Sequence, residues 1–202
     1  MMLALCPASA VAHPHAWIDI RSTVIMSANG MISAIEQEWL FDDLYSMAVI
    51  EDMTADKSKP ADVGAFAAEV IENLGPHGYF MRITADRRPV RIGTVTQFKS
   101  ELKGQRLALS FTAPFAEPVD PKSHAVAFSV FDPSYYIQMS HPSETPPTIK
   151  VNGPEQSPCR VQITRPQPSA ETLARAFALD RDAAPQDDLG RLFAEQVEIQ
   201  CK

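Results

Sequence analysis

The stretch His15-Ala16-Trp17-Ile18-Asp19-Ile20-Arg21-Ser22-Thr23-Val24-Ile25-Met26-Ser27 decides the fold, because its residues alternate. Ala16, Ile18, Ile20, Val24 and Met26 fall on one face, and His15, Trp17, Asp19, Arg21 and Thr23 on the other. That period of two is the pattern of a half-buried strand. Asn29-Gly30 follows, the dipeptide that best accepts the positive φ angles of a tight type I′ turn. Met31 to Phe41 then reads as the return strand. A two-residue turn sets the register, and a slip of one residue would turn every side chain over. Ala28 pairs with Met31, Val24 with Ile35, Ile20 with Trp39 and Ile18 with Phe41, all on the apolar face. Arg21 meets Glu38 on the other face as an opposite-charge pair. Trp17 falls opposite Asp42 and His15 opposite Leu44. The open end of the hairpin therefore gathers His13, His15, Trp17, Asp42 and Asp43.

Downstream, Asp42 has the side chain and position of a helix N-cap, with Leu44, Met47, Ala48 and Ile50 marking a short helix to about Met53. The acidic residues Asp52 and Asp56 that follow lack the spacing and closing glutamate of a calcium loop, so calcium is rejected there. Pro60 starts a second helix, with Val63, Phe66, Ala67, Val70, Ile71 and Leu74 at helical spacing, ended by Gly75-Pro76. Strands are expected at Tyr79 to Thr84, at Val95 to Leu102 with Arg106 to Phe111 as a hairpin about Lys103-Gly104-Gln105, and at Ala125 to Phe131. Residues His141 to Pro158, rich in Pro, Ser and Thr, read as an excursion over the surface. Cys159 to Thr164 reads as a last strand, and the tail as two short amphipathic helices around Ala170 to Leu179 and Leu189 to Gln196. Helices set between antiparallel hairpins indicate an α+β class. The expected architecture is a sheet or sandwich-like body with two helices inserted after the first hairpin and a helical C-terminal tail.

Upstream, Met1 to Val11 is an apolar run ending Ala10-Val11-Ala12, the small-x-small pattern cut by signal peptidase. Residues 1–12 are read as a signal peptide, 13–164 as the α+β body and 165–202 as the tail. The leader lacks an early Lys or Arg and is shorter than the usual ~15–30 residues, which points to a start placed too late. Leu5 before Cys6 disfavours a lipoprotein, since that position is normally small. Cleavage after Ala12 removes Cys6 and leaves Cys159 and Cys201 as the one possible intramolecular bridge, in keeping with an oxidising compartment such as the periplasm. Free thiols or soft metal ligands are the competing reading, unsupported by any CxxC spacing. A net charge of −7 over 202 residues, without a Lys/Arg cluster, argues against nucleic acid. No apolar run approaches the ~18 residues of a membrane span.

A mature chain beginning at His13 offers an α-amine and an imidazole from one residue, and His15 adds a second imidazole. With a carboxylate from Asp42 or Asp43 these are borderline ligands for copper, zinc or nickel. Pro14 has no amide N–H to deprotonate, so a site through successive backbone nitrogens is excluded. His141 is the outsider, placed to approach the cluster if the sheet closes. Asp132-Pro133-Ser134-Tyr135-Tyr136 is the second constellation. It reads either as a binding surface built from Asp132, Tyr135 and Tyr136 beside Trp17, or as a turn in which Asp132 accepts backbone N–H groups. There is no GxSxG, HExxH or phosphate loop, so the expectation is a non-enzyme.

Four stretches together resemble a known family: His13-Pro14-His15-Ala16-Trp17-Ile18-Asp19, Trp39-Leu40-Phe41-Asp42, Phe131-Asp132-Pro133-Ser134-Tyr135-Tyr136, and Leu192-Phe193-Ala194-Glu195. The family is one of exported bacterial proteins with a domain of unknown function, labelled as the periplasmic component of an ABC-type transport system. Its members tend to be encoded near nickel/cobalt-type permeases or zinc-responsive genes, so the resemblance implies transition-metal traffic. The chain lacks the two-lobed size of a solute receptor that closes on its ligand. The expected function is a periplasmic accessory protein that binds copper, zinc, nickel or cobalt and buffers it or passes it to an inner-membrane permease. The alternative is a metal-free envelope module that docks on a transporter.

Overall fold

A computed structural model describes residues 14–55, 62–143, 148–154, 158–178 and 188–201. The leader at 1–12 and His13 lie outside the described residues, as does Pro60. The elements are β1 (Ala16–Met26), β2 (Ile32–Phe41), α1 (Asp43–Thr54), α2 (Val63–Leu74), β3 (Met81–Ala85), β4 (Arg88–Pro89), β5 (Phe98–Lys103) and β6 (Arg106–Val119). They continue with β7 (Val126–Val130), β8 (Ile137–Ser140), β9 (Ile149–Asn152), β10 (Cys159–Thr164), α3 (Ala170–Phe177) and β11 (Gln196–Cys201). The class is α+β, as expected. Asp62, with a side-chain oxygen 3.0 Å from Ala65 N, caps α2.

The first hairpin has the expected strand register, with Ile18 opposite Phe41, Ile20 opposite Trp39, Arg21 opposite Glu38 and Val24 opposite Ile35. Its turn differs. Ser27 N donates to Met31 O at 2.9 Å, so the loop is Ala28-Asn29-Gly30, with Gly30 at φ 80° supplying the left-handed position. That extra loop residue shifts the register by one, and an irregularity between Met26↔Ile32 and Ile25↔Ala34 shifts it back. Two departures cancel, and the apolar face stays inward.

The strands form two sheets, ordered β5-β6-β2-β1-β8 and β10-β11-β7-β3-β4, with β9 also on β1. The outer edge of β1 is shared. Ala16 to Asp19 pair with Ile137 to Ser140 of β8, and Ser22 to Ile25 pair with Ile149 to Asn152 of β9, both in parallel. Parallel pairing needs a long crossover, which the α1-to-β7 stretch supplies. The inward faces of both sheets meet in one core that includes Ile18, Ile20, Trp39, Leu109 and Phe111 from the first and Ile83, Phe128, Val197 and Ile199 from the second. The Trp39 and Phe111 rings meet edge to face at 5.1 Å, the arrangement that aromatic quadrupoles favour.

The C-terminal expectation needs correction. Leu189–Phe193 is a single 3-10 turn, not a second helix. The chain then enters β11, which lies between β10 and β7. Val197 and Ile199 are fully buried while their neighbours are not, so a period of two, not 3.6, governs this segment. Residues 196–201 are an interior strand, and the Cys159–Cys201 disulfide ties two directly paired residues of adjacent strands.

Candidate functional site

At the open end of the hairpin, Trp17 N donates to Asp42 Oδ2 at 2.8 Å and Asp42 N donates to Trp17 O at 2.9 Å. Trp17 therefore sits opposite Asp42, as the register requires. Asp42 Oδ1 also accepts from Tyr45 N at 2.9 Å and caps α1. Each carboxylate oxygen is thus committed to a backbone N–H, one in the strand and one in the helix. Asp43 lies exposed in the first turn of α1, where a negative charge complements the helix dipole. Substituting Asp42 by Ala leaves both donors without that acceptor. The expected cost is about 1–2 kcal/mol in a urea titration, and an unchanged midpoint would show that the cap carries no weight.

His15 does not pair with Leu44, because the chain has already turned into α1. Its N–H instead donates to Tyr136 O at 2.9 Å, and its ring lies 4.6 Å from the Tyr136 ring. Among the described residues no group of three or more His, Cys, Asp or Glu side chains is arranged to hold a metal ion. His15, Asp42 and Asp43 come to one end of the molecule, His13 is outside the described residues, and each Asp42 oxygen accepts one backbone N–H.

The second constellation divides. Asp132 is buried, its oxygens accepting from Ser134 N at 2.9 Å, the Ser134 hydroxyl at 2.8 Å and Ile137 N at 3.0 Å. This is the turn reading. Tyr135, at φ 62°, turns inward and stacks on Phe193 at 3.8 Å, so it belongs to a small second core and not to a surface. Burial raises its hydroxyl pKa above 10.0. Gly190 N donates to Pro133 O at 3.0 Å, and a Cβ at Gly190 would lie 1.8 Å from Asp132 O. Only glycine lets the Leu189–Phe193 turn approach this closely. Tyr136 alone of the pair faces outward.

With it, Trp17 is 49%, Leu44 77%, Met47 58% and Tyr136 38% exposed, the large apolar residues around the Asp42 junction. Leu44 and Met47 share a helix face three residues apart. Tyr45, half-buried against Phe41, has its hydroxyl pKa raised by burial and by the nearby Tyr136 and Asp42.

His141 does not approach this end. It follows β8, whose parallel pairing carries it along β1 to Ser22, in the gap before β9. Its Nε2 lies 2.9 Å from Ser22 Oγ, and its Nδ1 and backbone N each lie 2.8 Å from Glu195 Oε2. Gln37 Nε2 donates to Ser22 Oγ at 3.0 Å and Trp39 Nε1 donates to Gln37 Oε1 at 3.3 Å. Arg165 closes the outer end, donating to Glu195 Oε1 at 3.1 Å and to His141 O at 3.2 Å. The Ser–His–Glu order is that of a hydrolase triad. Here Ser22 is 1% exposed, and the chain of bonds joins the two sheets through their common core. Ser22 and Gln37 carry the signal that could have found it, since both are polar residues at inward positions of otherwise apolar strands.

The family model described as "Protein of unknown function (DUF1007)" matches residues 1–201. A similar protein from Haemophilus influenzae, named only as an uncharacterized protein, is 28% identical over 201 residues, 95% of this chain and 92% of the relative. No solved structure matches the chain.

Proposed function

We propose, on the premise that the chain belongs to the DUF1007 family of unknown function, that it is an accessory protein of the bacterial envelope that docks on a membrane transporter through the open end of its first hairpin. One observation carries this reading: the outward exposure of Trp17, Leu44, Met47 and Tyr136 around the Asp42 junction. Water-facing tryptophan, tyrosine and methionine at one end of a domain are the residues that interfaces use as anchors. The two sheets, stacked as a sandwich-like body, hold that end in place. Localisation in the periplasm follows from the leader pattern and fits the disulfide.

The metal-carrier reading stands second. It is favoured by His15 on the same surface, with His13 two residues upstream and the exposed carboxylate of Asp43 nearby. Copper, zinc, nickel or cobalt bound by that set would be presented beside the docking residues, which suits delivery to a permease.

The test uses the exported protein with its natural N-terminus and inner-membrane vesicles of the same organism, against protein-free liposomes. Docking predicts saturable binding to the vesicles alone, weakened at least about 10-fold by Trp17→Ser with Tyr136→Ser. Equal binding to bare lipid, or no loss in the variant, sinks it. Native mass spectrometry of the same sample, offered copper, zinc and nickel, separates the two readings. One ion per chain, lost in His15→Ala, supports the carrier.

A further inference from the structure

At the opposite end of the hairpin, beyond Met31, a cleft of about 370 Å³ opens between the β3–β4 turn and the last residues of β6. We propose that it binds a small zwitterionic solute, of the class of a free amino acid or short peptide. The proposal is independent of the docking surface, which lies at the far end of β1.

The argument begins with the turn. Asp86 and Arg87 adopt φ 50° and 64°, the left-handed region where glycine costs least. Asp86 stands there with its carboxylate holding two groups: Oδ1 accepts from Ala125 N at 2.9 Å and Oδ2 lies 2.7 Å from His124 Nδ1. A carboxylate on one imidazole nitrogen fixes the ring and leaves the other nitrogen directed away, the arrangement by which proteins orient a working histidine. His124 lines the cleft.

The charges decide the ligand. Arg88, Arg91, Glu117 and Asp120 also line the cleft. Asp120 is committed to the Ser123 hydroxyl at 2.6 Å and to Lys122 N at 2.9 Å. Arg88, Arg91 and Glu117 form no side-chain hydrogen bond or ion pair among the described residues. A simple anion would meet the Arg88 and Arg91 guanidiniums but also three carboxylates. A simple cation would meet Glu117 but also two guanidiniums. A molecule with a carboxylate and an ammonium satisfies both sets, the first on Arg88 and Arg91 in the fork geometry arginine favours, the second on Glu117. A cleft of this size is in the range of small-molecule sites.

The probe is glycylglycine, titrated into 15N-labelled protein and followed by NMR, with N-acetylglycine and glycinamide as singly charged controls. Expected are millimolar binding with shifts centred on Arg88, Arg91, Glu117 and His124, and affinity at least about 10-fold weaker for each control. Arg91→Ala and Glu117→Gln, whose side chains are exposed and bond to no described residue, should each weaken it by about the same factor. The absence of shifts with glycylglycine, equal binding of N-acetylglycine, or unchanged binding in both variants overturns the proposal.

Discussion

His141→Ala is expected to lower the unfolding free energy by about 3 kcal/mol, one of the largest losses available to a single substitution here. The imidazole is 2% exposed and partners Ser22 on one sheet and Glu195 beside the other, so its removal leaves a buried hydroxyl and a buried carboxylate facing a cavity. Arg165 remains on Glu195 but is more than half exposed, so it replaces only part of what is lost. The cost has a pH signature. Burial by itself raises the Glu195 pKa, but the hydrogen bonds and charge of His141, together with the Arg165 bond, outweigh it and hold the carboxyl below 4.5. A carboxyl depressed in the folded state contributes fully above its unfolded pKa and loses that contribution as pH falls through its folded value. Wild type should therefore lose stability below about pH 4.5, and the gap between wild type and His141→Ala should narrow there. Urea unfolding at pH 7 and in steps down to pH 3 measures both. A loss under about 1 kcal/mol at pH 7, or a gap that does not change with pH, would show that the network does not join the sheets as described.

Removing the disulfide, by Cys159→Ser with Cys201→Ser or by reduction, is expected to cost about 4 kcal/mol. The bridge spans 42 residues of sequence, and the chain-entropy treatment of a loop that long gives this magnitude. In a chain of this size the thermal midpoint should fall by about 10 °C. The effect should concentrate in β10 and β11, where Cys159 pairs directly with Cys201 and Val197 and Ile199 enter the core. Hydrogen exchange should therefore accelerate there first on reduction. Uniform acceleration, or a midpoint that does not move, would assign the bridge no particular role in holding β11.

Much of this molecule was legible in local chemistry. The alternation from Ala16 to Met26 and its partner from Ile32 to Phe41 specified a hairpin and its buried face. Asp42 before an apolar helical run specified a cap, and Asp132-Pro133-Ser134 a turn, because both depend on groups within a few residues. The hairpin register came out right although the turn is longer than Asn29-Gly30 alone implies. Burial of Ile18, Ile20 and Val24 outweighs the preference of one dipeptide, and the irregularity opposite Met26 absorbs the difference.

The candidate site was legible only in outline. Trp17 and Asp42 do meet at the open end, but His15 meets Tyr136, and Tyr135 turns into a core that needs Phe193, almost sixty residues away, to exist. Nothing near Tyr135 in sequence announces that. Period, capping and turn chemistry are properties of neighbours along the chain, and they determined by themselves the α+β class, the first hairpin and the first helix; the disulfide pair was legible only with the reading of residues 1–12 as a leader that removes Cys6. The tertiary structure alone decided the parallel pairing of β8 and β9 on β1, the insertion of β11 between β10 and β7, and the turn of His141 inward to Ser22 and Glu195. Those outcomes depend on which strand edge is open, and on which buried polar group lacks a partner, once the rest of the chain has packed.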